Sequence, residues 1–527
     1  MRPLAGDYAY DYAKVEGLYV GDPNDAEAWS AAIARTQQHK RNREGIANVI
    51  RAQQQERGAP HAAREAGAKL ANRATVAIVT GQQAGAFGGP LFTLLKAVTA
   101  LQLAQRTARD HDVPAVAVFW VDAEDHDWEE VKSCTVLDAE FQLRAVTLPS
   151  PEGAGELPVA SLTLDQRVEQ TSSELKAALP QTEFTPQVID SLTDAWSPGA
   201  RMGRAFATWL ERLLGPYGLI VFESADPAAK PLVGAVFTRE LASPGRSAAL
   251  AAEAGNTLAS RGHAPQVVPQ QDSLSLFRLD HGRRPIRRQG ADFVSGDEVF
   301  SAERLAGEAA SHPEAFSPNV LLRPIVQDTL FPTICYVAGP SELAYLGQLR
   351  GVYESFGVPM PLMYPRATAT LLDSGAWRFL TKYGLRLEEL QPQDESALNR
   401  LLASQLPAEV EQALRDASTQ IEQSMKRVID VLPALDPTLA GAAKTTLGKM
   451  QHELRSLQTK VIHAAKRRDE TLRRQFVRAQ AQAFPHGHPQ ERTLGVVYFL
   501  DKYGPGLVDL LITELPLDMG KHWVIAL

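Results

Sequence analysis

The sequence predicts an α/β protein built on a parallel sheet and carrying a long antiparallel helical arm. Residues 76–96, VAIVTGQQAGAFGGPLFTLLK, read as a short buried strand, a glycine-rich loop and a helix. Residues 113–121, VPAVAVFWV, are a near-continuous apolar run, as strands covered on both faces require. Residues 408–480 abandon that patterning for apolar positions spaced by threes and fours on either side of a proline turn.

At 527 residues the chain is too long for one ordinary core and implies about two to four structural units. Hydrophobic residues make up 44% and charged residues 22%, which excludes a disordered class. A net charge of -8 gives no reason to expect nucleic acid as a partner. Cys134 and Cys335 lie in no CxxC pair and have no histidine at ligand spacing, so neither a disulfide framework nor a cysteine-rich zinc site is expected. No charged-apolar-small leader and no run of about twenty apolar residues occurs. The expectation is a cytoplasmic protein with no membrane partner.

Taken in order, residues 1–73 form an N-terminal helical segment packed on the core. Residues 1–23 read as irregular, with Tyr8, Tyr10, Tyr12 and Tyr19 packing on the main domain. Asn24 or Asp25 caps a helix that runs to about residue 57, and a second helical piece covers residues 62–72. The core spans residues 74–382. Thr80 to Pro90 carries Gly81, Gly85, Gly88 and Gly89 with the amides Gln82 and Gln83. Leu91, Leu94, Leu95, Val98, Leu101 and Leu103 then mark a helix that contains Lys96 and has Pro90 in its first turn. Strand, glycine loop and helix together point backbone N–H groups at an anion. The plainer reading is a tight turn whose glycines only relieve strain.

The second strand completes a right-handed βαβ unit. Its tip reads Asp122-Ala123-Glu124-Asp125-His126-Asp127-Trp128. Tip and glycine loop both fall beyond the carboxyl ends of the strands, where open α/β sheets bind ligands. Residues 133–164 read as inserted hairpin strands, 217–223 as another buried strand and 266–279 as strand again. Arg283, Arg284, Arg287 and Arg288 read as a basic turn, either an anion patch or, the favoured reading, a solvated one. Residues 317–372 form a second βαβ-like half, with strands at 333–337 and 360–364 and a helix from about Ser341, entered through Gly339-Pro340-Ser341-Glu342. Residues 383–485 form the arm. Its seam runs Val410, Leu414, Ala417, Ile421, Met425, Val428 and Leu432, then Leu447, Met450, Leu454, Leu457, Val461 and Ala464. Such an arm either packs within the chain or pairs with a second copy. Residues 486–527 return to the core.

Several motifs in this order, Thr80-Gly81-Gln82-Gln83-Ala84-Gly85, Phe87-Gly88-Gly89-Pro90, Glu124-Asp125-His126-Asp127, Val326-Gln327-Asp328, Gly339-Pro340-x-Glu342 and Tyr364-Pro365-Arg366, resemble the bacillithiol biosynthesis cysteine-adding family. The similarity runs nearly end to end and includes Pro489-Gln490-Glu491-Arg492 and Tyr498 to Gly504. It implies a Rossmann-like, class I nucleotidyl-transferase-like core with inserted connecting segments, and a coiled-coil arm that forms a homodimer. It also implies a carbon-nitrogen ligase that adds L-cysteine to glucosaminyl-malate in the last step of bacillithiol biosynthesis. Another nucleotidyl- or acyl-transferase on the same core, or a non-catalytic coiled-coil scaffold, remain the alternatives. Class I relatives carry a histidine-rich signature after the first strand, where this chain has Thr80-Gly81-Gln82-Gln83 and no histidine.

Joining a carboxylate to an amine needs activation, usually by a nucleotide such as ATP. The loop residues Thr80, Gly81, Gln82, Gln83, Gly88, Gly89 and Pro90 are candidates to bind substrate or phosphates, with Lys96 or Arg366 adding charge. Glu124, Asp125, His126 and Asp127 are the candidate catalytic group, to deprotonate or bind an ammonium. A divalent ion is compatible with these carboxylates, but no ligand spacing requires one and no metal ligand is assigned. Asn319, Arg323, Gln327 and Asp328 either line the far side of the crevice or bond between segments, and Gly339 and Glu342 join the binding set. Arg366, with Thr368 and Thr370 after it, reads as a loop that clamps the malyl carboxylates. Both cysteines are expected in the core.

Overall fold

The computed structural model describes residues 4–270, 272–404, 408–468 and 470–527. The chain divides into two compact units, Met1–Thr370 with Glu491–Trp523 and Leu371–Gln490 with Val524–Leu527.

The first unit is organised by a five-stranded parallel sheet. Its strands are β1 (Val76–Gln83), β2 (Ala115–Asp122), β3 (Leu219–Glu223), β4 (Thr333–Ala338) and β5 (Leu362–Pro365), in the order β5-β4-β1-β2-β3. Residues Val76 to Thr80 of β1 are fully buried, so both faces of the central strand are covered. Helix α1 (Phe92–His111) packs on β1 and β2, and the helix Met202–Leu214 packs on β2 and β3. Register positions the site. Gln83 pairs with Asp122 across β1 and β2, and Ala338 pairs with Pro365 across β4 and β5. The ends of four strands therefore bring Gln82, Asp122, Gly339 and Arg366 to one edge.

A second, antiparallel sheet joins Phe316–Pro318, Ser273–Leu279, Arg283–Gln289, Asp292–Ser295 and Glu298–Phe300 in that order, and Ser133–Leu137 pairs with Leu143–Thr147 as a hairpin. The expected basic turn is therefore a strand. Ile286 is its buried residue, and Arg283 stacks 3.8 Å from the Phe277 ring centre, which lets a guanidinium sit at a nearly closed position.

Other expectations also change. Residues 1–3 lie outside the described residues, and the segment after them is not irregular. It holds the helix Leu4–Tyr10 and the turn Tyr12–Lys14, with Tyr8 donating to the Met363 carbonyl (2.7 Å) and Tyr19 to the Leu343 carbonyl (2.8 Å). The single helix expected up to residue 57 is two, Ala26–Gln38 and Arg43–Arg57, because Asn42 leaves the helical path and caps the second by accepting from the Gly45 N–H (2.9 Å). The helix from Ser341 is likewise two, Pro340–Leu346 and Arg350–Phe356, and Thr368 and Thr370 lie in a strand, Thr368–Leu372. Cys134 and Cys335 are buried free thiols, and burial pushes the Cys134 thiol up to about 12.

The tail segment Glu491–Trp523 belongs to the sheet unit. Gln102 of α1 donates to the carbonyls of Ile512 (2.9 Å) and Leu515 (2.7 Å). The second unit is helical. Leu372, Phe379, Leu380, Leu401, Leu472 and Phe476 build its core. The helices Ala408–Val431 and Leu439–Arg468 are joined through the turn Leu432–Ala434 and pack on each other. Seam residues Val428, Met450 and Leu457 stay exposed along them. Among the described residues no helix is long and apolar enough to cross a membrane.

Candidate active site

A pocket of about 300 Å³ opens at the carboxyl edge of the parallel sheet, between the ends of β1, β2, β4 and β5. Gly81 stands where β1 comes closest to β2. A Cβ there would lie 3.0 Å from the Trp120 carbonyl and 3.2 Å from its Cβ. Lys96 reaches back from α1 and donates to the Gly81 carbonyl (2.8 Å) and to Gln82 Oε1 (3.1 Å), and it pairs with Glu342. Glu342 also accepts from the Gly339 N–H (2.7 Å) and the Tyr336 hydroxyl (2.8 Å). Burial lowers the Lys96 pKa despite that partner. Burial alone would raise Glu342, but Lys96 and the two further donors hold it below the usual carboxylate value.

Facing this pair is Asp122, the last residue of β2. Burial raises its pKa, partly opposed by Arg323, whose guanidinium is 3.8 Å away. Arg323 is held by Gln327 Oε1 (3.1 Å), by the Tyr345 hydroxyl (3.3 Å) and by the faces of Trp120 and Tyr336. Arg366 lies at the end of β5, and Arg492 comes from the tail. Arg366 grips Glu491 through two bonds of 2.9 and 2.6 Å. It is thus not the free malate clamp expected from the sequence. Arg492 is exposed, and no ion pair holds it among the described residues.

The expected site residues fall into separate groups. Gly81, Gln82, Gln83, Lys96, Gly339, Glu342 and Arg366 line this pocket. Thr80 is buried and donates to the Val337 carbonyl (3.0 Å), tying β1 to β4. Gln327 and Asp328 lie behind the pocket wall. Gln327 supports Arg323, and Asp328 accepts from the Tyr353 hydroxyl (2.5 Å). Asn319 caps a turn through the N–H groups of Leu321 and Leu322 and lines a smaller adjoining cavity.

Gly88, Gly89 and Pro90 do not form an open anion cradle. The N–H groups of Gly88 and Gly89 bond within the loop, to the carbonyls of Gly85 (3.3 Å) and Ala86 (3.1 Å). Pro90 bridges to Gly495, Leu91 N–H bonds the Leu494 carbonyl (2.8 Å) and Val496 N–H bonds the Gly89 carbonyl (2.9 Å). The loop is therefore the dock for the tail and brings Arg492 to the pocket and Glu491 to Arg366. Gly88 has φ +95 and lies against Trp209, where a Cβ would collide with the ring. Gly88→Ala is expected to cost about 2–4 kcal/mol in urea unfolding, since overpacking and left-handed strain add.

Glu124, Asp125, His126 and Asp127 lie outside the main pocket: Asp125, His126 and Asp127 share one cavity, and Glu124 lines another together with Asp125. Glu124 pairs with Lys230 (2.7 Å) inside the smaller cavity. Asp125 bridges Gln83 (3.4 Å) and Arg283 (3.2 Å). Asp125, His126 and Asp127 line a different cavity with Trp128 and Ser150, where His126 Nδ1 lies 3.2 Å from Asp125 Oδ1, and Asp127 caps the short helix Trp128–Val131. No group of three or more metal-ligating side chains gathers among the described residues. Asp122, Tyr336, Tyr345 and Arg492 were missed as site residues. Asp122 was visible as the polar end of an apolar run, and Arg492 only as part of a tail motif.

Comparison with known proteins agrees with this architecture. Residues 1–367 match the family described as "Bacillithiol biosynthesis BshC, N-terminal Rossmann-like domain", and residues 369–527 match "Bacillithiol biosynthesis BshC, C-terminal coiled-coil domain". A protein of Salinibacter ruber named "Putative cysteine ligase BshC" is 34% identical, covering 98% of this chain and 95% of its own. Proteins of the same name from Koribacter versatilis and Solibacter usitatus are 32% and 31% identical, covering 97% and 99% of this chain and 94% and 96% of their own. With both domains matched along the chain and the relatives spanned almost completely, the protein belongs to the BshC family of bacillithiol biosynthesis.

Proposed function

We propose that the chain is a carbon-nitrogen ligase that joins the carboxyl of L-cysteine to the amine of glucosaminyl-malate, the last step in making bacillithiol. One observation carries the reading. The pocket at the sheet edge places a carboxylate with a raised pKa, Asp122, among Lys96, Arg323, Arg366 and Arg492. Amide formation needs a proton acceptor for the attacking ammonium and cations for the charge that builds on the carboxyl and its departing oxygen. Asp122 takes the first role. Arg323 beside it keeps the carboxylate oriented, and Gln82 and Gln83 offer polar contacts without net charge. The ammonium first gives one proton to Asp122; the freed nitrogen then bonds to the carboxyl carbon as one carboxyl oxygen leaves with its electron pair, and the second proton of the nitrogen leaves with that oxygen.

ATP or another nucleoside triphosphate, when bound, would supply the activation, the departing oxygen leaving on its phosphoryl or nucleotidyl group as diphosphate or the nucleoside diphosphate is released. The donor set fits such a group. Arg492 is exposed without an ion-pair partner among the described residues, and Lys96 and Arg366 share its pocket. Arg492 would contact a phosphate, and Lys96 and Arg366, held by Glu342 and Glu491, would add positive field. Purified protein with L-cysteine, glucosaminyl-malate and ATP is expected to form bacillithiol, read by thiol derivatisation and mass. No product across a panel of nucleotides and divalent metals rejects the reading.

The exposed seam residues Val428, Met450 and Leu457, 43–50% accessible, support a homodimer through the arm. Light scattering is expected to give twice the chain mass, and a monomer at every concentration would remove the dimer.

A further inference from the structure

Val326, Gln327 and Asp328 are 3%, 1% and 0% exposed and line neither the main pocket nor the cavity beside it. Gln327 nevertheless acts on the pocket through Arg323. The two stand one turn apart in the helix Arg323–Leu330, the spacing at which side chains meet, and Gln327 Oε1 accepts from Arg323 Nη1 (3.1 Å). The Gln327 amide cannot turn over. A guanidinium has no acceptor to offer it, and its Nε2 is spent on Asp328 Oδ1 (2.9 Å), whose other oxygen accepts from the Tyr353 hydroxyl (2.5 Å). From the helix Pro340–Leu346, the Tyr345 hydroxyl accepts from Arg323 Nη2 (3.3 Å). The Trp120 and Tyr336 rings lie 5.9 and 5.7 Å from the guanidinium carbon.

These contacts set a distance. Arg323 stops 3.8 Å from Asp122, near enough for its charge to be felt and beyond hydrogen-bond length. Among the described residues no hydrogen bond is made to the Asp122 carboxylate, whereas Glu342 in the same pocket pairs with Lys96 and accepts from the Gly339 N–H and the Tyr336 hydroxyl. A closed, bidentate pair with Arg323 would occupy the Asp122 oxygens and make them poorer proton acceptors. Both terminal nitrogens of Arg323 are instead engaged on Gln327 and Tyr345. The other charged groups that act on Asp122 are Arg283, Glu124 and Asp125, and the pocket wall adds Lys96, Glu130, Glu342, Arg366 and Arg492. None of these bonds to Gln327.

We infer that Gln327 and Tyr345 are positioning residues for the reaction, holding the Arg323 guanidinium at a standoff that orients Asp122 and leaves its oxygens open to a proton. Asp328 and Tyr353 fix the Gln327 amide in turn. This assignment rests on the ligase reading and adds what keeps its proton acceptor competent.

Gln327→Leu tests it by removing the acceptor at nearly the same volume. The freed guanidinium is expected to close on Asp122. The acid limb of kcat then moves down by about one pH unit, and its plateau falls about tenfold. Lost packing alone would lower the thermal midpoint and leave the acid limb in place. A stability cycle reads the same contact without activity. In the wild-type background Asp122→Asn keeps or raises the thermal midpoint at pH 7. In the Gln327→Leu background it is expected to lower it, because the carboxylate removed there is paired. Tyr345→Phe, at a half-buried position, removes one hydroxyl and is expected to move both readouts the same way by less. It decides the test if Gln327→Leu does not fold. An acid limb that does not fall, or an Asp122→Asn effect that is the same in every background, overturns the standoff. The two readings fail separately. If no amide forms but the cycle shows the coupling, the ligase reading falls and the standoff stands. If the amide forms and neither readout moves, the standoff falls alone.

Discussion

Asp122→Asn is expected to lower kcat for amide formation by about 10²- to 10⁴-fold, the range in which a positioned proton acceptor contributes. Its side chain is half-buried at the end of β2, and burial outweighs Arg323 in setting its pKa above the ordinary value. The acceptor must be ionised, so the wild-type rate falls as pH drops through that raised pKa, and its acid limb lies above the usual aspartate range. The stability sign is opposite. A carboxyl with a higher pKa folded than unfolded destabilises the fold once the pH exceeds the folded pKa, and the penalty vanishes below the unfolded value. Asp122→Asn therefore keeps or raises the thermal midpoint at pH 7, and the difference from wild type shrinks toward pH 4. A variant with kcat within threefold of wild type would remove Asp122 from the reaction. An acid limb in the variant identical to that of wild type would show that another group sets it.

The largest stability effect is expected at Glu491. Its carboxylate and the Arg366 guanidinium are 7% and 2% exposed, joined by two charge-assisted bonds, and Glu491 also accepts from the Ala369 N–H (3.3 Å). Glu491→Ala leaves a buried cation without its partner, at a cost of about 3–5 kcal/mol, read as a lower urea midpoint with unchanged slope. Replacing both partners with apolar residues of similar volume, Arg366→Met with Glu491→Leu, is expected to recover most of that loss. If the double variant is as unstable as Glu491→Ala, the stranded charge is not the cause. Arg366 also lines the pocket, so the recovered fold is expected to remain poor in catalysis.

Fold and site were unequally legible in the sequence. The apolar runs that became β1 and β2 and the heptad seam of the arm were readable because burial on one or both faces imposes a local period. Boundaries failed where a local capping or stacking choice overrode the period. Asn42 split one helix into two, and the Phe277 ring allowed a strand at Arg283 where charge suggested a turn. The glycine loop was recognised as important but its task was misjudged, since its N–H groups turn inward and its outer edge docks residues 494–496.

By itself, then, the sequence determined the α/β class, the crossover between β1 and β2, the helical arm and the family motifs, all carried by near neighbours along the chain. Only the tertiary structure decided which polar side chains share a pocket. Strand register sets Asp122 beside Gln83. The bend after β2 sends Glu124 to the smaller adjoining cavity and gathers Asp125, His126 and Asp127 at another. The docked tail brings Arg492 into the same pocket as Lys96 from about three quarters of the chain length away. Such convergence depends on long-range pairing and on the direction of each side chain where a strand ends, and no local period encodes either.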